Sequence, residues 1–406
     1  MSRKLYIIGA GPGDMGYLTQ RALQVLESCD KVYSTAGRYV TSLSHLSQDI
    51  VECAIAEIPA AIAASKDTVL GLLVSGDTGF FSVTTSLLKS LEDVIETEVV
   101  CGISCLQYFC AKAGISYENM KVASLHGREG SILGAAAYNH RVFVLTGGAH
   151  KADSILKELA EAGMSHIKAY VGEKLSMEAE RIVAGSVGEL AEGTYAELSV
   201  LLLENPGFVK CCLPLYDRDF VRGEVPMTKE EIRAVALAKL AVEPGDLVYD
   251  VGAGTGSVAI EMARRACDGR VFAIEKNAAA LALINENRKR LGAYNVTIVP
   301  GTAPDAFSGL PVPNKAFIGG SSGNMEQIIE SLRVKNPHID IVANTITLEG
   351  LNACVNSFES SGFNTEIVCI NSAAAKKNGK YHMMSANNPV YIISGRSQGK
   401  SHKQEP

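Results

Sequence analysis

The sequence predicts an α/β protein in two successive parts, of which at least the second is a doubly wound parallel sheet. Two observations carry this prediction. Short apolar segments alternate with stretches of helical spacing along the chain, which is typical of parallel strands joined by helices. The chain also has 406 residues, and one domain usually takes about 100–200. We therefore expect two α/β domains, each with its own core.

The first half opens with a buried strand at residues 5–8, which runs into a glycine-rich turn and then into a helix. This order of strand, loop and helix recurs later in the first half. The further strand candidates are residues 69–74, 99–101, 141–145 and 167–171. A repeated β/α order predicts a mainly parallel sheet with helices on its faces.

The second half shows the same order more clearly. Thr228 and Glu231 have the spacing of a capping box, which predicts that a helix begins there. Strand candidates separated by helical stretches follow at residues 247–251, 271–275, 296–299, 316–318 and 339–343. Two last candidates, residues 365–370 and 389–393, lack a full helical crossover between them, so we expect them to close the sheet as an antiparallel pair.

A cluster of turn-forming residues between 205 and 214 marks the boundary between the halves. We predict a first domain at residues 1–207, a linker at 208–217, a second domain at 218–396 and a loose polar tail at 397–406. These ranges define the first half (1–207) and the second half (218–396) of the chain.

Composition excludes several classes of protein. The chain has 38 Lys+Arg against 44 Asp+Glu and a net charge of -6, which lacks the basic excess of proteins that bind nucleic acid without sequence preference. The apolar run after Leu5 ends at Gly9, and charged residues interrupt every stretch that could span a bilayer. We therefore expect a cytoplasmic protein that binds neither nucleic acid nor a membrane.

Cysteine usage points away from a metal site. The chain has ten cysteines, and no CxxC pair occurs among them. Cys101, Cys105 and Cys110 are closely spaced, but they lie among apolar residues. Buried free thiols explain this pattern better than metal ligands do, so no metal is predicted.

The strongest motif lies at the end of the strand at residues 247–251. Asp250 is followed by the loop of Gly252, Ala253, Gly254, Thr255 and Gly256, which leads into a helix. Glycines in such a loop let the backbone approach a ligand at the carboxyl edge of a sheet. The alternative is that these glycines serve only the packing of strand against helix.

Glu275 favours the ligand site over the packing alternative. It ends the next strand, where a carboxylate can accept hydrogen bonds from both ribose hydroxyls of an adenosine ligand. The loop is GxGxG rather than the dinucleotide pattern GxGxxG, and an acid before it suits a sulfonium or an amino group better than a pyrophosphate. Both features favour S-adenosylmethionine over NAD.

Three loops of small residues follow strands of the first half. They span residues 9–14, 75–81 and 102–106. Carboxyl ends of parallel strands share one edge of a sheet, so together these loops predict a crevice with backbone hydrogen bonds to a ligand. Each loop alone would more often be an ordinary turn. No acid follows the first loop at the dinucleotide spacing, which again disfavours NAD.

These residues resemble two known families. The first half resembles the tetrapyrrole methylases, specifically the precorrin methylases of corrin synthesis, through YIIGAGPGD, SGDTGFFS, CGISCLQYFCAKAGI, ASLHGR, FVLTGG, VGEKLSMEAERI and LLLENPG. The second half resembles the Rossmann-type precorrin methyltransferases that remove a carboxylate, through FVRGEVPMTKE, DVGAGTGSVAIEMA, AIEKN, GTAP, AFIGGSSGN and ANTITLE. The resemblance implies two α/β subdomains in the first half and a Rossmann-like domain in the second.

The resemblance also implies an activity and a set of cofactor contacts. It implies methyl transfer from S-adenosylmethionine to ring carbons 5 and 15 of a precorrin, with loss of carbon dioxide from an acetate side chain. The cofactor contacts carried over by position are Thr228, Gly252, Ala253, Gly254, Thr255, Gly256, Glu275 and Ala303 in the second half, and Gly76, Asp77 and Ser104 in the first.

A precorrin is rimmed with carboxylates, so we expect cations beside each crevice. His126, Arg128 and Arg222 are the candidates, and an ordinary solvated surface ion is the alternative for each. Asp14 is a candidate proton acceptor or substrate orienter, compatible with a role as helix N-cap. Because the donor's methyl group is already activated, no catalytic base is nominated.

The small-residue loop at residues 318–323 suggests a hypothesis for the decarboxylation. Burial of one acetate without a cationic partner there would favour loss of its charge. Three rival functions remain open: a nicotinamide-dependent tetrapyrrole reductase, a fusion in which one half only binds substrate, and a methyltransferase for RNA or protein. The absence of a basic arm counts against the last. A homo-oligomer is also expected.

Overall fold

The structure, a computed structural model, describes residues 3–43, 49–127 and 130–397. The chain divides into two compact units. The first unit holds residues 1–128, 143–155 and 168–203, and the second unit holds residues 129–142, 156–167 and 204–406. Three short segments of the first half, residues 129–142, 156–167 and 204–207, thus belong to the second unit. The predicted domain and linker boundaries stay predictions.

Residues 3–43 and 49–113 build an α/β layer with one sheet. Its elements are β1 (Lys4–Gly9), α1 (Gln20–Ser28), β2 (Lys31–Ser34), α2 (Gly37–Ser42), β3 (Asp49–Glu52), α3 (Ile58–Ala64), β4 (Val69–Val74), α4 (Thr84–Leu91), β5 (Glu96–Val100) and α5 (Cys105–Ala113). The strands pair in parallel in the order β3-β2-β4-β1-β5. Strands β4, β1 and β5, which precede the three small-residue loops, are therefore neighbours.

A second five-stranded sheet follows, in the order β6-β7-β10-β8-β9. Its strands and the adjoining helices are β6 (Lys121–Ser124), α6 (Leu133–Tyr138), β7 (Arg141–Leu145), α7 (Ala152–Glu161), β8 (Lys168–Glu173), β9 (Arg181–Ser186), α8 (Val187–Leu190) and β10 (Ser199–Glu204). The predicted strands at β7 and β8 are confirmed. Strands β8 and β9 pair antiparallel. The sequence predicted a mainly parallel sheet in the first half and did not predict this antiparallel pair.

The second half forms a seven-stranded sheet in the order β13-β12-β11-β14-β15-β19-β16. Its elements are α9 (Glu230–Leu240), β11 (Leu247–Val251), α10 (Ser257–Arg265), β12 (Arg270–Glu275), α11 (Ala278–Arg290), β13 (Val296–Pro300), β14 (Lys315–Ile318), α12 (Met325–Lys335), β15 (Asp340–Thr345), α13 (Leu348–Ser360), β16 (Asn364–Ile370) and β19 (Val390–Arg396). Strands β11 to β15 are parallel, and β19 pairs antiparallel with β15 and β16. The doubly wound sheet and its antiparallel closure are confirmed.

Two apolar layers cover this sheet, one on each face. Val248 of β11 belongs to a cluster with residues of α9 and α10, whereas Tyr249 and Val251 belong to a cluster with residues of α12 and α13. The alternation follows from the period of two along a strand. Both faces are therefore occupied, which leaves the loops at the strand ends as the place for a ligand.

Three details differ from the sequence predictions. Helix α9 has Lys229 as N-cap and no side-chain capping bond, so the capping box at Thr228 is wrong. Residues between β16 and β19 form a separate antiparallel hairpin, β17 (Ala373–Asn378) with β18 (Tyr381–Ala386), which the sequence pattern did not predict. Cys101 is exposed rather than buried, although Cys110 is buried as expected and all ten cysteines are free thiols.

Among the residues that the structure describes, none of the helices combines the length and the apolar character needed to cross a bilayer.

Candidate functional site

The glycine loop of the second half lies at the switch point of its sheet. From β11 the chain moves first to β12 on one side and later to β14 on the other, so the loops after β11 and β14 diverge and leave a crevice. Gly252 has φ of +72°, and a Cβ added there would lie 2.6 Å from the carbonyl oxygen of Gly320. Only glycine permits this close approach at the start of the two loops, where they leave β11 and β14 before they diverge.

We expect Gly252→Ala to destabilise the second half by roughly 2 kcal/mol, because it combines a left-handed backbone with a steric clash. Urea unfolding measures the loss. Gly245→Ala is the matched control, since an added Cβ at Gly245 meets nothing within 4 Å and its φ is not positive. Equal stability of the two variants would show that the loops do not need this glycine.

Glu275 is held in place by the backbone around it. Its Oε2 accepts a hydrogen bond from the Gly254 amide at 2.9 Å, and its Oε1 accepts from the amides of Lys276 at 2.8 Å and Asn277 at 2.9 Å. Glu275 is only partly buried, and two carboxylate oxygens offer about four acceptor sites. The carboxylate is thus fixed against the glycine loop with acceptor capacity left for a ligand.

Asp250 is a second acidic residue beside the glycine loop at residues 252–256. It is 1% exposed, and among the described residues neither of its carboxylate oxygens has a hydrogen-bond partner. Burial, aided by the nearby charge of Glu275, raises the pKa of Asp250 from 3.8 to about 7. The hydroxyl of Thr255 is also buried without a partner among the described residues. Buried polar atoms without partners are costly, so they point to a polar or cationic ligand.

The raised pKa of Asp250 gives a pH dependence with a definite sign. Unfolded chains lose this proton near pH 4, whereas the folded protein keeps it to about pH 7, so the stability that this group contributes falls as pH rises between those values. We expect ligand-free Asp250→Asn to be more stable than the wild type at pH 8, with the difference shrinking toward pH 4. Thermal unfolding at the two pH values measures this. A pH-independent difference would contradict it.

A segment at residues 215–228 lies over the glycine loop. A Cβ added at Gly254 would lie 3.2 Å from the Pro226 carbonyl oxygen. The buried side chain of Asn287 joins the segment to the loop, because its Nδ2 donates to the carbonyls of Val221 at 2.7 Å and Thr255 at 2.9 Å. Its Oδ1 accepts from the Val221 amide at 2.8 Å. The segment therefore forms one wall of the crevice.

Arg233 holds the segment at residues 215–228 in place through ion pairs and hydrogen bonds. Its guanidinium is fully buried and donates to Glu261 at 2.8 Å, to Asp217 at 2.8 Å and to the Thr228 carbonyl at 2.6 Å. It also lies 5.0 Å from the ring centroid of Phe220. Sequence reasoning missed both Arg233 and Asn287, because polar residues inside a helical pattern usually face solvent.

The remaining predicted residues of the second half take three different positions. Thr228 is half-buried, and its backbone carbonyl is occupied by Arg233. Ala303 is 6% exposed and packs with Phe307 in an apolar cluster after β13. Arg222 is exposed on the segment that covers the glycine loop.

Three small-residue loops of the first unit converge, as the sequence predicts. Gly11 and Gly76 exchange backbone hydrogen bonds of 3.1 and 3.0 Å. A Cβ added at Gly9 would lie 2.6 Å from the Gly102 amide nitrogen. Asp77 ties these loops together, because its Oδ1 accepts from the Gly79 amide at 2.9 Å and its Oδ2 from the Gly102 amide at 3.0 Å.

These loops border a cavity of about 350 Å³ in the first unit. Gly76, Asp77 and His126 line it, together with Phe80 and Phe81 after β4 and with residues of β6, β7, β8 and β10. Its wall is thus mixed, with aromatic rings and serine or threonine hydroxyls beside one carboxylate and one imidazole. A volume and lining of this kind suit an organic ligand with a few polar groups.

Two predicted residues of the first half lie outside this lining. The Ser104 side chain caps α5, since its Oγ accepts from the Gln107 amide at 3.2 Å. Asp14 is exposed and is the N-cap of a single 3₁₀ turn, with Oδ1 accepting from the Gly16 amide at 2.6 Å. Its capping role is confirmed, on that turn rather than on α1. Arg128 lies outside the described residues.

Two family models match this chain. Residues 4–191 match the Tetrapyrrole (Corrin/Porphyrin) Methylases, and residues 219–396 match the Precorrin methyltransferase domain.

The chain is also similar to individual proteins over its second half. It is 43% identical over 178 residues to a probable cobalt-precorrin-6B C(15)-methyltransferase (decarboxylating) of Methanocaldococcus jannaschii, which covers 44% of this chain and 94% of that protein. A protein of the same name from Pyrobaculum calidifontis is 40% identical over 181 residues, or 44% of this chain and 93% of that one. The crystal structure of precorrin-6y C5,15-methyltransferase from Geobacter metallireducens is 38% identical, with a TM-score of 0.44, covering 45% of this chain and 98% of that one.

Proposed function

This chain belongs to the precorrin methyltransferase family, and on that premise we propose that it is a bifunctional precorrin-6B C5,15-methyltransferase (decarboxylating) of cobalamin biosynthesis. It transfers two methyl groups from S-adenosylmethionine to carbons 5 and 15 of the macrocycle and removes carbon dioxide from an acetate side chain. The observation that carries the proposal is the presence of two separate glycine-lined clefts, one at the carboxyl edge of the first sheet and one at the switch point of the last.

We assign different steps of the reaction to the two halves of the chain. The relatives that match the second half are named for methylation at C15 and for decarboxylation, so we assign those steps to the second half. The first half matches the tetrapyrrole methylases as a family, and methylation at C5 is then the step left for it. Product that carries the methyl group only at C5 when the second half is inactivated would support this division.

The chemistry of the donor groups supports S-adenosylmethionine in the second half. Glu275 is positioned to accept from ribose hydroxyls, and Asp250 offers a carboxylate to a cationic group. S-adenosylmethionine supplies an activated methyl group when bound, so the protein's own task is alignment and exclusion of water. The cofactor contacts proposed in this half are Thr228, Gly252, Ala253, Gly254, Thr255, Gly256, Glu275 and Ala303.

In the first half we propose that the cofactor lies against Gly76 and Asp77, which line the cavity. Ser104 would act there through the capped start of α5 rather than through its hydroxyl. His126, Arg128, Arg222 and Asp14 remain the proposed contacts to substrate. Arg222 is exposed, as a contact to carboxylates on the rim of a large ring requires.

The structure does not support the hypothesis that the loop at residues 318–323 buries an acetate without a cationic partner. In the loop at residues 319–323, four of the five residues are exposed, so the chain alone does not bury an acetate there. A cation also lies beside it, since the Lys276 Nζ donates to the Ser322 Oγ at 2.9 Å. The loop therefore offers polar contacts at the crevice rather than an apolar pocket.

Mass spectrometry of the product tests the function. The full chain would be supplied with a defined precorrin-6B, in metal-free and cobalt forms, and with S-adenosylmethionine labelled in its methyl group. We expect two labelled methyl groups and the loss of one carboxyl group. A product that gains a single methyl group would contradict bifunctionality and favour a fusion in which one half only binds substrate. Homo-oligomer formation and a cytoplasmic location remain predictions, and light scattering tests the first.

A further inference from the structure

The imidazole of His126 is oriented by the loop that follows β7. Its Nδ1 lies 3.3 Å from the carbonyl oxygen of Thr146. The ring also passes directly over Gly147, because a Cβ added there would lie 2.0 Å from Nδ1. Gly147 has φ of +154°, so glycine is needed at this position both for its backbone conformation and for the space that the ring occupies.

This contact selects one tautomer of a neutral imidazole. A carbonyl oxygen can only accept a hydrogen bond, so Nδ1 must carry the proton that is donated to Thr146. Nε2 then carries the lone pair. Among the described residues no hydrogen bond or ion pair occupies Nε2, and His126 lines the cavity of the first unit. A basic nitrogen is thus available at the wall of that cavity.

Other titratable groups of the cavity wall are less suited to accept a proton. Among the described residues that line it, these are Asp77 and Cys105. Both oxygens of Asp77 already accept hydrogen bonds from loop amides. Burial raises the pKa of the Cys105 thiol to about 11, so its thiolate is scarce at neutral pH.

We propose that His126 is the catalytic base of the first half, whose Nε2 removes the proton from C5 after that carbon has been methylated; this inference rests on the proposed function. When C5 takes the methyl group, a π electron pair of the macrocycle forms the new C–C bond, the sulfur–methyl bond of the sulfonium donor breaks with its electron pair left on sulfur, and the ring becomes cationic. The C5–H bond then breaks, its electrons return to the ring, and Nε2 accepts the proton. The resulting imidazolium keeps its Nδ1 bond to Thr146 and releases the proton to water.

His126→Gln is the decisive variant. Glutamine can still donate to the Thr146 carbonyl, but it is not a base. We expect kcat for C5 methylation to fall by about 10²- to 10⁴-fold with little change in KM. Methylation at C15 and the decarboxylation, measured in the same product, should be unchanged and serve as the internal control. A raised KM with an unchanged kcat would overturn the proposal and make His126 a carboxylate contact.

Chemical rescue separates a base from a structural residue. We expect free imidazole to restore C5 methylation to His126→Ala, and to do so better as pH rises, because the neutral form is the base. Loss of rescue at higher pH would indicate a role for the cation and would contradict the proposal. Wild-type protein that fails to methylate C5 at all would instead refute the proposed function, so the two failures are distinguishable.

Nitrogen-15 NMR of histidine-labelled full chain gives a readout that needs no turnover. The signal of His126 is identified by its absence from His126→Gln. We expect the neutral ring to be protonated at Nδ1. A ring protonated at Nε2 would leave no lone pair for the cavity and would refute the assignment.

Discussion

Replacing Glu275 with glutamine is expected to weaken binding of S-adenosylhomocysteine to the second half by about 10- to 150-fold. Hydrogen bonds to a charged group contribute about 1.5–3 kcal/mol each, and 1.4 kcal/mol is a factor of ten. An amide also turns one acceptor into a donor, which then faces backbone amides that donate to the carboxylate in the wild type. Isothermal calorimetry on the intact chain measures the loss.

Glu286→Gln is the matched control for this prediction. Glu286 is an exposed residue of α11, on the helix that follows Glu275, and its substitution removes the same charge from the same unit. Its affinity for the ligand should equal that of the wild type. If both variants bind equally well, Glu275 does not contact the ligand and the adenosine site lies elsewhere.

The second large effect is on stability. We expect Arg233→Met to destabilise the second half by about 3–5 kcal/mol, because it removes a fully buried guanidinium from two partly buried carboxylates and leaves each with one exposed cation as its partner. The carboxylates concerned belong to Glu261 and Asp217, and the Thr228 carbonyl would lose its donor as well. Urea unfolding followed in the second half measures the change.

Arg265→Gln removes a different partner of the same carboxylate and serves as the control. Arg265 is 39% exposed in its side chain and lies 3.3 Å from Glu261 as an i, i+4 pair. Such pairs contribute about 0.3–0.5 kcal/mol. A small and similar loss for both arginine variants would mean that the buried guanidinium does not hold the wall of the crevice.

The features of the fold and of the site that could be predicted from sequence are those that a short stretch of neighbouring residues determines. Strand ends followed by glycines predicted both clefts, and the position of Glu275 at the end of the next strand predicted that its carboxylate lies at the same edge of the sheet as the glycine loop. The antiparallel closure was predictable because the residues between β16 and β19 show no helical pattern that could form a crossover. In each case the sequence spacing itself restricts the geometry.

The features that the sequence could not predict depend on contacts between residues that are distant in sequence. Arg233 is buried only because Asp217 and Glu261 approach it from other elements, and nothing near it in sequence signals that approach. The orientation of His126 likewise depends on Thr146 and Gly147, some twenty residues away. Ser104 was proposed as a cofactor contact, yet its hydroxyl is used by the helix that it begins.

Calorimetry with S-adenosylhomocysteine on the intact chain tests the central claim most directly. Two clefts that both bind the methyl donor predict two bound molecules per chain in the wild type, and in Glu275→Gln one site of unchanged affinity beside one weakened by about 10- to 150-fold. A wild-type stoichiometry of one that Glu275→Gln leaves unchanged, or no binding at all, would contradict the account.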